Sequence, residues 1–259
     1  MQKAANHYYQ LAKQLPAGFK NVFSETRDSL PFRKSRYEGK PLSRRQELTL
    51  KKNTEALSKL AVFAVLQTVP VAGWFPIVVA LTYPRFLLTH HFWSEEQKAE
   101  FMREEYTERC IFTSQLKDYI THQSSSVRSP FTIGDKSFSS LKNLSPQHVH
   151  LLACANAVHG NILFQTFTPT FYTRIKIQDM AAFILRDDIL LLSEGIEELS
   201  EEELREALLQ RGIDHTSDNN DHKSILHSWL KVHDPVPIQD PSHLLHLVAL
   251  SKLQERIKS

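Results

Sequence analysis

From Leu60 to Tyr83 the chain reads LAVFAVLQTVPVAGWFPIVVALTY, 24 residues without a charged side chain, bounded by Lys59 and Arg85. A helix of that length is about 36 Å long, enough to cross a hydrocarbon core of roughly 30 Å with some tilt. The competing reading is a buried core helix, but Pro70 and Pro76 would kink a water-exposed or core helix badly. Membrane spans tolerate prolines when neighbouring groups satisfy the freed carbonyls. The flanks agree with a span. Tyr83, Phe86, Phe92 and Trp93 crowd the C-terminal boundary as interfacial aromatics do, with Trp74 inside. Leu60, Pro70, Trp74, Pro76 and Tyr83 mark the membrane-spanning stretch, and the lipid bilayer is its expected surrounding. Arg44, Arg45, Lys51 and Lys52 form a basic cluster upstream, suited to anionic headgroups.

Charge is unevenly spread. Residues 1–52 carry twelve basic and four acidic side chains, whereas the whole chain balances 31 Lys and Arg against 29 Asp and Glu. A basic arm therefore precedes an acidic body. Seven glycines, twelve prolines and few alternating β-branched runs favour helices over sheet. The fold class expected is all-α, with a single transmembrane helix followed by a helical domain. The first twenty residues lack the continuous apolar run of a secretory signal. Cys110 and Cys154 are far apart in apolar-periodic surroundings, so burial of both is expected instead of a disulfide.

Helix starts are written locally. Ser43-x-x-Gln46, Ser94-x-x-Gln97 and Ser200-x-x-Glu203 are capping boxes, and Ser145-Pro146 pairs an N-cap with proline at the first helical position. After Ser94, Phe101, Met102, Tyr106, Cys110, Phe112 and Leu116 recur at helical spacing, and the pattern dissolves in the polar stretch 121–129. This divides the chain into a basic N-terminal arm and helix (1–58), a transmembrane segment (59–86), an amphipathic helix (94–122) and a helical body (131–259). Within the body, helices are expected near 146–158, 174–192, 200–211, 222–233 and 242–257.

Chemistry-bearing motifs are sparse. The 13 histidines invite a metal site, from His148 and His150 or from His222, His227 and His233, but His148 and His150 point about 200° apart on a helix, and His222 and His227 miss the i, i+4 spacing, which leaves them as surface histidines. Residues 214–221 supply several oxygens, yet an EF-hand would need glycine where Asn219 stands and glutamate where Ile225 stands. No Gly-x-Ser-x-Gly, phosphate loop or HExxH occurs. The expectation is a non-enzyme with no cofactor and no metal.

Residues 199–230 outline a helix–loop–helix resembling SAP modules, with Leu204, Ala207 and Leu208 on one inner face and Leu226, Trp229 and Leu230 on the other. A nucleic-acid-binding role is the alternative this raises. Between Glu194 and Asp234, however, eleven acidic residues face four basic ones, and such a surface repels phosphates. No direct DNA binding is expected. An acidic docking stripe through Glu198, Glu202 and Glu206, spaced by four, suits a basic protein partner instead.

Leu42-Ser43-Arg44-Arg45, the proline-interrupted span, Tyr83-Pro84-Arg85-Phe86-Leu87-Leu88 and His91-Phe92-Trp93 together resemble the LETM family, in particular its short branch without an EF-hand. Asp187-Asp188, Glu194-Gly195, Leu199, Leu204, Arg211-Gly212-Ile213 and Trp229-Leu230 are similar to that family's ribosome-binding-like domain. The resemblance implies a mitochondrial membrane protein, at the inner membrane with the outer membrane as alternative. Its implied partners are mitochondrial ribosomes or respiratory-complex assembly factors, with a homo-oligomer also open. It implies a role in mitochondrial organisation, respiratory-chain biogenesis and ion homeostasis. The other function it raises is a component of a cation/proton exchanger. A span lacking any acidic residue is poor material for that work. The positive-inside rule would keep the basic arm in the matrix, while the family places the C-terminal domain there.

Overall fold

The computed structural model describes residues 2–68, 85, 88–126, 140–159, 168–216, 221–232 and 241–250. Among these residues the chain is all helical: α1 (Gln2–Tyr37), α2 (Arg44–Gln67), α3 (Glu95–Ser126), α4 (Pro146–Ala155), α5 (Thr170–Glu194), α6 (Glu201–Gln210), α7 (His222–Val232) and α8 (Pro241–Leu250). Two 3₁₀ turns, His90–Phe92 and Leu141–Asn143, complete the set. Two units separate near Phe101 and Met102.

The local start signals are all used. Ser43 and Gln46 exchange hydrogen bonds at the head of α2, Ser94 and Gln97 at α3, and Ser200 and Glu203 at α6. Ser145 accepts from His148 N–H, with Pro146 first in α4. Each box satisfies donors that the first helical turn leaves unpaired.

In the N-terminal unit, α1 packs against α2 and the 90–92 turn. Phe92 is buried and meets Phe19 edge to face at 5.2 Å. That ring lies so close to α1 that a Cβ on Gly18 would stand 2.2 Å from it, so the approach requires glycine. A polar node crosses the α1–α2 seam. Ser29 Oγ and Arg33 Nη2 donate to Asn53 Oδ1 at 3.3 and 2.7 Å, and Asn53 Nδ2 donates to Thr26 Oγ1 at 2.9 Å. Buried Asn53 is thereby satisfied.

The C-terminal unit is built on α5, whose Ile177, Ala181, Ile184, Asp188 and Leu191 recur every three or four residues along one buried stripe. Helices α4 and α8 pack on α5 and on each other, and α6 packs on α7. Leu204, Ala207, Leu208, Leu226, Trp229 and Leu230 are all buried, as the helix–loop–helix reading required.

Several expectations are corrected. Helix α1 occupies most of what reads as an arm, and α3 continues through the polar stretch to Ser126. The buried face of α3 carries Arg109, Thr113, Leu116 and Ile120. That phase turns Cys110 outward, so only Cys154 is buried. Among the described residues no helix is long and apolar enough to cross a membrane. Of the predicted span only Leu60 and its neighbours to Thr68 are described, closing α2, whereas Pro70, Trp74, Pro76 and Tyr83 lie outside the described residues.

Candidate functional site

The acidic run lies where α5 ends and α6 begins. Gly195 takes φ +84° and closes α5 by donating to Leu191 O at 3.0 Å. Glu194, Glu197, Glu198, Glu201 and Glu202 are exposed around this turn. Three carboxylates in the first turn of α6 favour the positive end of the helix dipole.

Several of these carboxylates also work within the fold. Glu203 closes the capping box. Glu201 pairs with His222 Nδ1 and accepts from Arg205 Nε at 3.2 Å. Its slight burial would raise its carboxyl, but the His222 and Arg205 contacts outweigh that and hold it below the ordinary value. Lys223 donates to Glu197 O at 2.8 Å and lies 3.5 Å from its carboxylate, tying the run to α7. The predicted stripe is not a single helical stripe. Glu198 falls in the turn before the Ser200 cap, so only Glu202 and half-buried Glu206 share α6.

Beneath the run sits a buried ionic frame. Arg211, fully buried, donates from Nε to Asp188 Oδ1 at 2.9 Å, from Nη2 to Asp187 Oδ2 at 2.8 Å, and from Nη1 to Ala207 O at 2.9 Å. Trp229 Nε1 donates to the other Asp188 oxygen at 3.4 Å. Burial works against the charge on Arg211, yet Asp188 and Asp187 more than offset it, so the guanidinium holds its proton more tightly than a free one. The two residues after Arg211 close α6. Gly212 at φ +67° donates to Leu209 O at 2.9 Å, and Ile213 N–H reaches Leu208 O at 3.0 Å, a Schellman closure that glycine at φ > 0 permits.

Buried Arg109 on α3 adds a second fastening that the sequence did not reveal. It donates to Ala155 O at 3.2 Å, to Leu209 O, and to Gln210 O at 3.3 Å. One side chain thus donates to carbonyls at the C-terminal ends of both α4 and α6. Also unanticipated is the outer face of α5, where Phe171, Ile175, Ile189 and Leu192 are exposed. The signal was present as apolar residues all round a long helix.

The basic cluster does not form one outward patch. Arg44 is buried, Lys51 and Lys52 are half-buried, and Arg45 alone is exposed. The reason is rotational: Arg44, Leu48 and Ala56 occupy the buried side of α2. The surface reading of the histidines is likewise corrected for two of them. His148 is buried and meets His246 with Nε2 atoms 2.8 Å apart, and His222 is buried against Glu201. His233 lies outside the described residues. In the N-terminal unit, Glu25, His90 and His91 bring three ligand atoms within 4.8 Å of one another.

The order Asp187-Asp188, Glu194-Gly195, Arg211-Gly212-Ile213, Trp229-Leu230 therefore describes one frame: an ionic clamp, a helix end, a second helix end and a core indole. The family described as "LETM1-like, RBD" matches residues 42–139 and 133–250. The chain belongs to the LETM1-like family. LETM1 domain-containing protein 1 of Xenopus tropicalis is 24% identical to this LETM1-like chain over 271 residues, covering 94% of the chain and 77% of the frog protein. No solved structure matches it. Membership indicates a mitochondrial, LETM1-related role, and neither comparison points to a catalytic family.

Proposed function

We propose that this LETM1-like protein is a non-catalytic anchor at the mitochondrial inner membrane. Its C-terminal unit docks a basic surface of the mitochondrial ribosome or of a respiratory-complex assembly factor. The observation that carries the reading is the exposed acidic turn at Glu194–Glu202, set on a frame whose own charges are internally paired. A rigid acidic rim speeds association with a basic partner and aligns it, while contributing less to final affinity. Phosphate-bearing partners are disfavoured by the same charge. The Glu198→Lys, Glu202→Lys double variant changes two exposed side chains outside the clamp and the capping box. It is expected to slow association of the full chain with purified mitochondrial ribosomes roughly tenfold at low salt, with the difference shrinking as salt is raised. Surface-plasmon kinetics at two ionic strengths checks this. Equal association rates for the two proteins would sink the acidic-rim reading.

The anchor is proposed to be the stretch 60–83, with both its flanks on one face of the membrane, because α1 and α2 before it pack with the 90–92 turn after it. It is supported by its uncharged sequence and by the exposed Val62 and Val65 on the last turns of α2. The protein is expected to remain in the membrane pellet after alkaline carbonate treatment. Val65→Arg with Val78→Arg should move it into the soluble fraction, since the two arginines together oppose insertion by about a few kcal/mol. Recovery of the unaltered protein in the supernatant would remove the anchor from the proposal.

A further inference from the structure

We infer that Glu25, His90 and His91 form a binding site for a zinc-class divalent cation. The three side chains come from two separate places in the chain, Glu25 from α1 and the two consecutive histidines from the 3₁₀ turn that packs on it. Their donor atoms lie within 4.8 Å of one another, and His90 Nε2 stands 3.9 Å from Glu25 Oε2 while His91 Nε2 is in direct contact with that oxygen. Two neighbouring histidines rarely aim at one point. Here the tight turn holds the rings tilted together with centroids 3.9 Å apart.

The surroundings suit ligation. Thr89, itself buried, places Oγ1 3.1 Å from His91 Nδ1 and so fixes which nitrogen faces the carboxylate. A threonine hydroxyl can donate or accept. With Nε2–H donated to Glu25, the hydroxyl gives its hydrogen to Nδ1. When Nε2 turns its lone pair to a cation, the ring proton sits on Nδ1 and the hydroxyl accepts it. This is the outer-shell support that orients ligating histidines in metal proteins. The site is graded in exposure: the side chain of His91 is 7% exposed, Glu25 24% and His90 35%. One side is therefore open to water or to a fourth ligand.

The donor set selects the cation. Two imidazole nitrogens and one carboxylate oxygen match zinc, which accepts three protein ligands and leaves one position open. Calcium and magnesium call for six or more oxygens, or several retained waters, and gain little from imidazole. Lys52 and Lys98 lie close enough for their charges to act on His90, and Lys52 acts on Glu25 as well.

The test is zinc competition against a chromophoric chelator, using the full-length chain in detergent and zinc alone as probe. One site per chain is expected. His90→Ala and Glu25→Gln should each weaken it by more than roughly 100-fold, and Thr89→Val roughly tenfold, the range typical of losing an outer-shell partner. His90 is partly exposed, so His90→Ala should keep the wild-type helical circular dichroism. His227→Ala, on exposed α7 surface, should leave affinity unchanged. Zinc bound equally well by the His90→Ala and Glu25→Gln proteins, or not bound by the wild type, overturns the inference.

Discussion

An Arg211→Met substitution is expected to destabilise the C-terminal unit by about 3–5 kcal/mol, the usual result of removing one partner from a buried ion pair. Arg211 has no solvent exposure, and its side chain holds Asp187, Asp188 and Ala207 O together. Without it, the buried carboxylates of Asp187 and Asp188 lose their guanidinium, and Ala207 O loses a donor. Most of the cost is the desolvation left uncompensated, not the intrinsic worth of the pair. The triple variant Arg211→Met, Asp187→Asn, Asp188→Asn removes the orphaned charges, while the amide introduced at position 188 still offers an oxygen to Trp229 Nε1. It should therefore regain a large part of the loss. Urea unfolding followed by circular dichroism compares the three proteins. A single mutant as stable as the parent, or a triple mutant no better than the single, would show that the clamp does not hold α5 to α6.

The second large effect is acid sensitivity inside the C-terminal unit. Burial pushes His148 down to about 4 from its ordinary 6.5. Burial also takes His215 down to about 4, outweighing the opposing pull of the Ile213 backbone and Asp214. His148 faces His246 at 2.8 Å and the Tyr119 ring at 5.5 Å, and His215 faces the Tyr106 ring at 5.6 Å, with the nearby Asp214 charge too weak to offset its burial. The unfolded chain protonates both groups near pH 6.5 and the folded chain only near pH 4. Between those values the unfolded state binds more protons, so stability falls as pH falls and levels off below about 4. Each histidine should remove about 2 kcal/mol between pH 7 and pH 5, from a slope approaching 1.4 kcal/mol per unit. His148→Gln and His215→Gln together should flatten the profile over that window. An unfolding free energy equal at pH 7 and pH 5 in the parent protein would contradict the assignment of both rings as neutral.

What the sequence by itself determined is whatever depends on neighbours within a turn or two. Ser43, Ser94, Ser145 and Ser200 start their helices because a cap and its partner are three residues apart, and the bond needs nothing distant. Gly195 and Gly212 end theirs because φ > 0 is accessible to glycine in any surroundings. The inner faces of α6 and α7 were legible for a similar reason, since helical periodicity is a local property. The rotation of a helix about its axis was not fixed in the same way. One position of phase put Cys110 outside and Arg109 inside, and only packing against α4 and α6 gives an arginine in that place its carbonyl partners.

What only the tertiary structure decided is every contact between distant residues. Arg211 meets Asp188 across 23 positions, His148 meets His246 across 98, and Glu25 meets His91 across 66. In sequence these are an arginine far from its aspartates, a histidine whose partner His246 was not singled out, and an unremarked glutamate. Buried polar groups must find partners, but the chain does not record locally which partner the fold will deliver, because that depends on how whole helices come together. The fold class and helix starts follow from short-range bonding. The clamp, the buried histidine pair and the three-donor cluster follow from long-range packing, which spacing along one helix cannot encode.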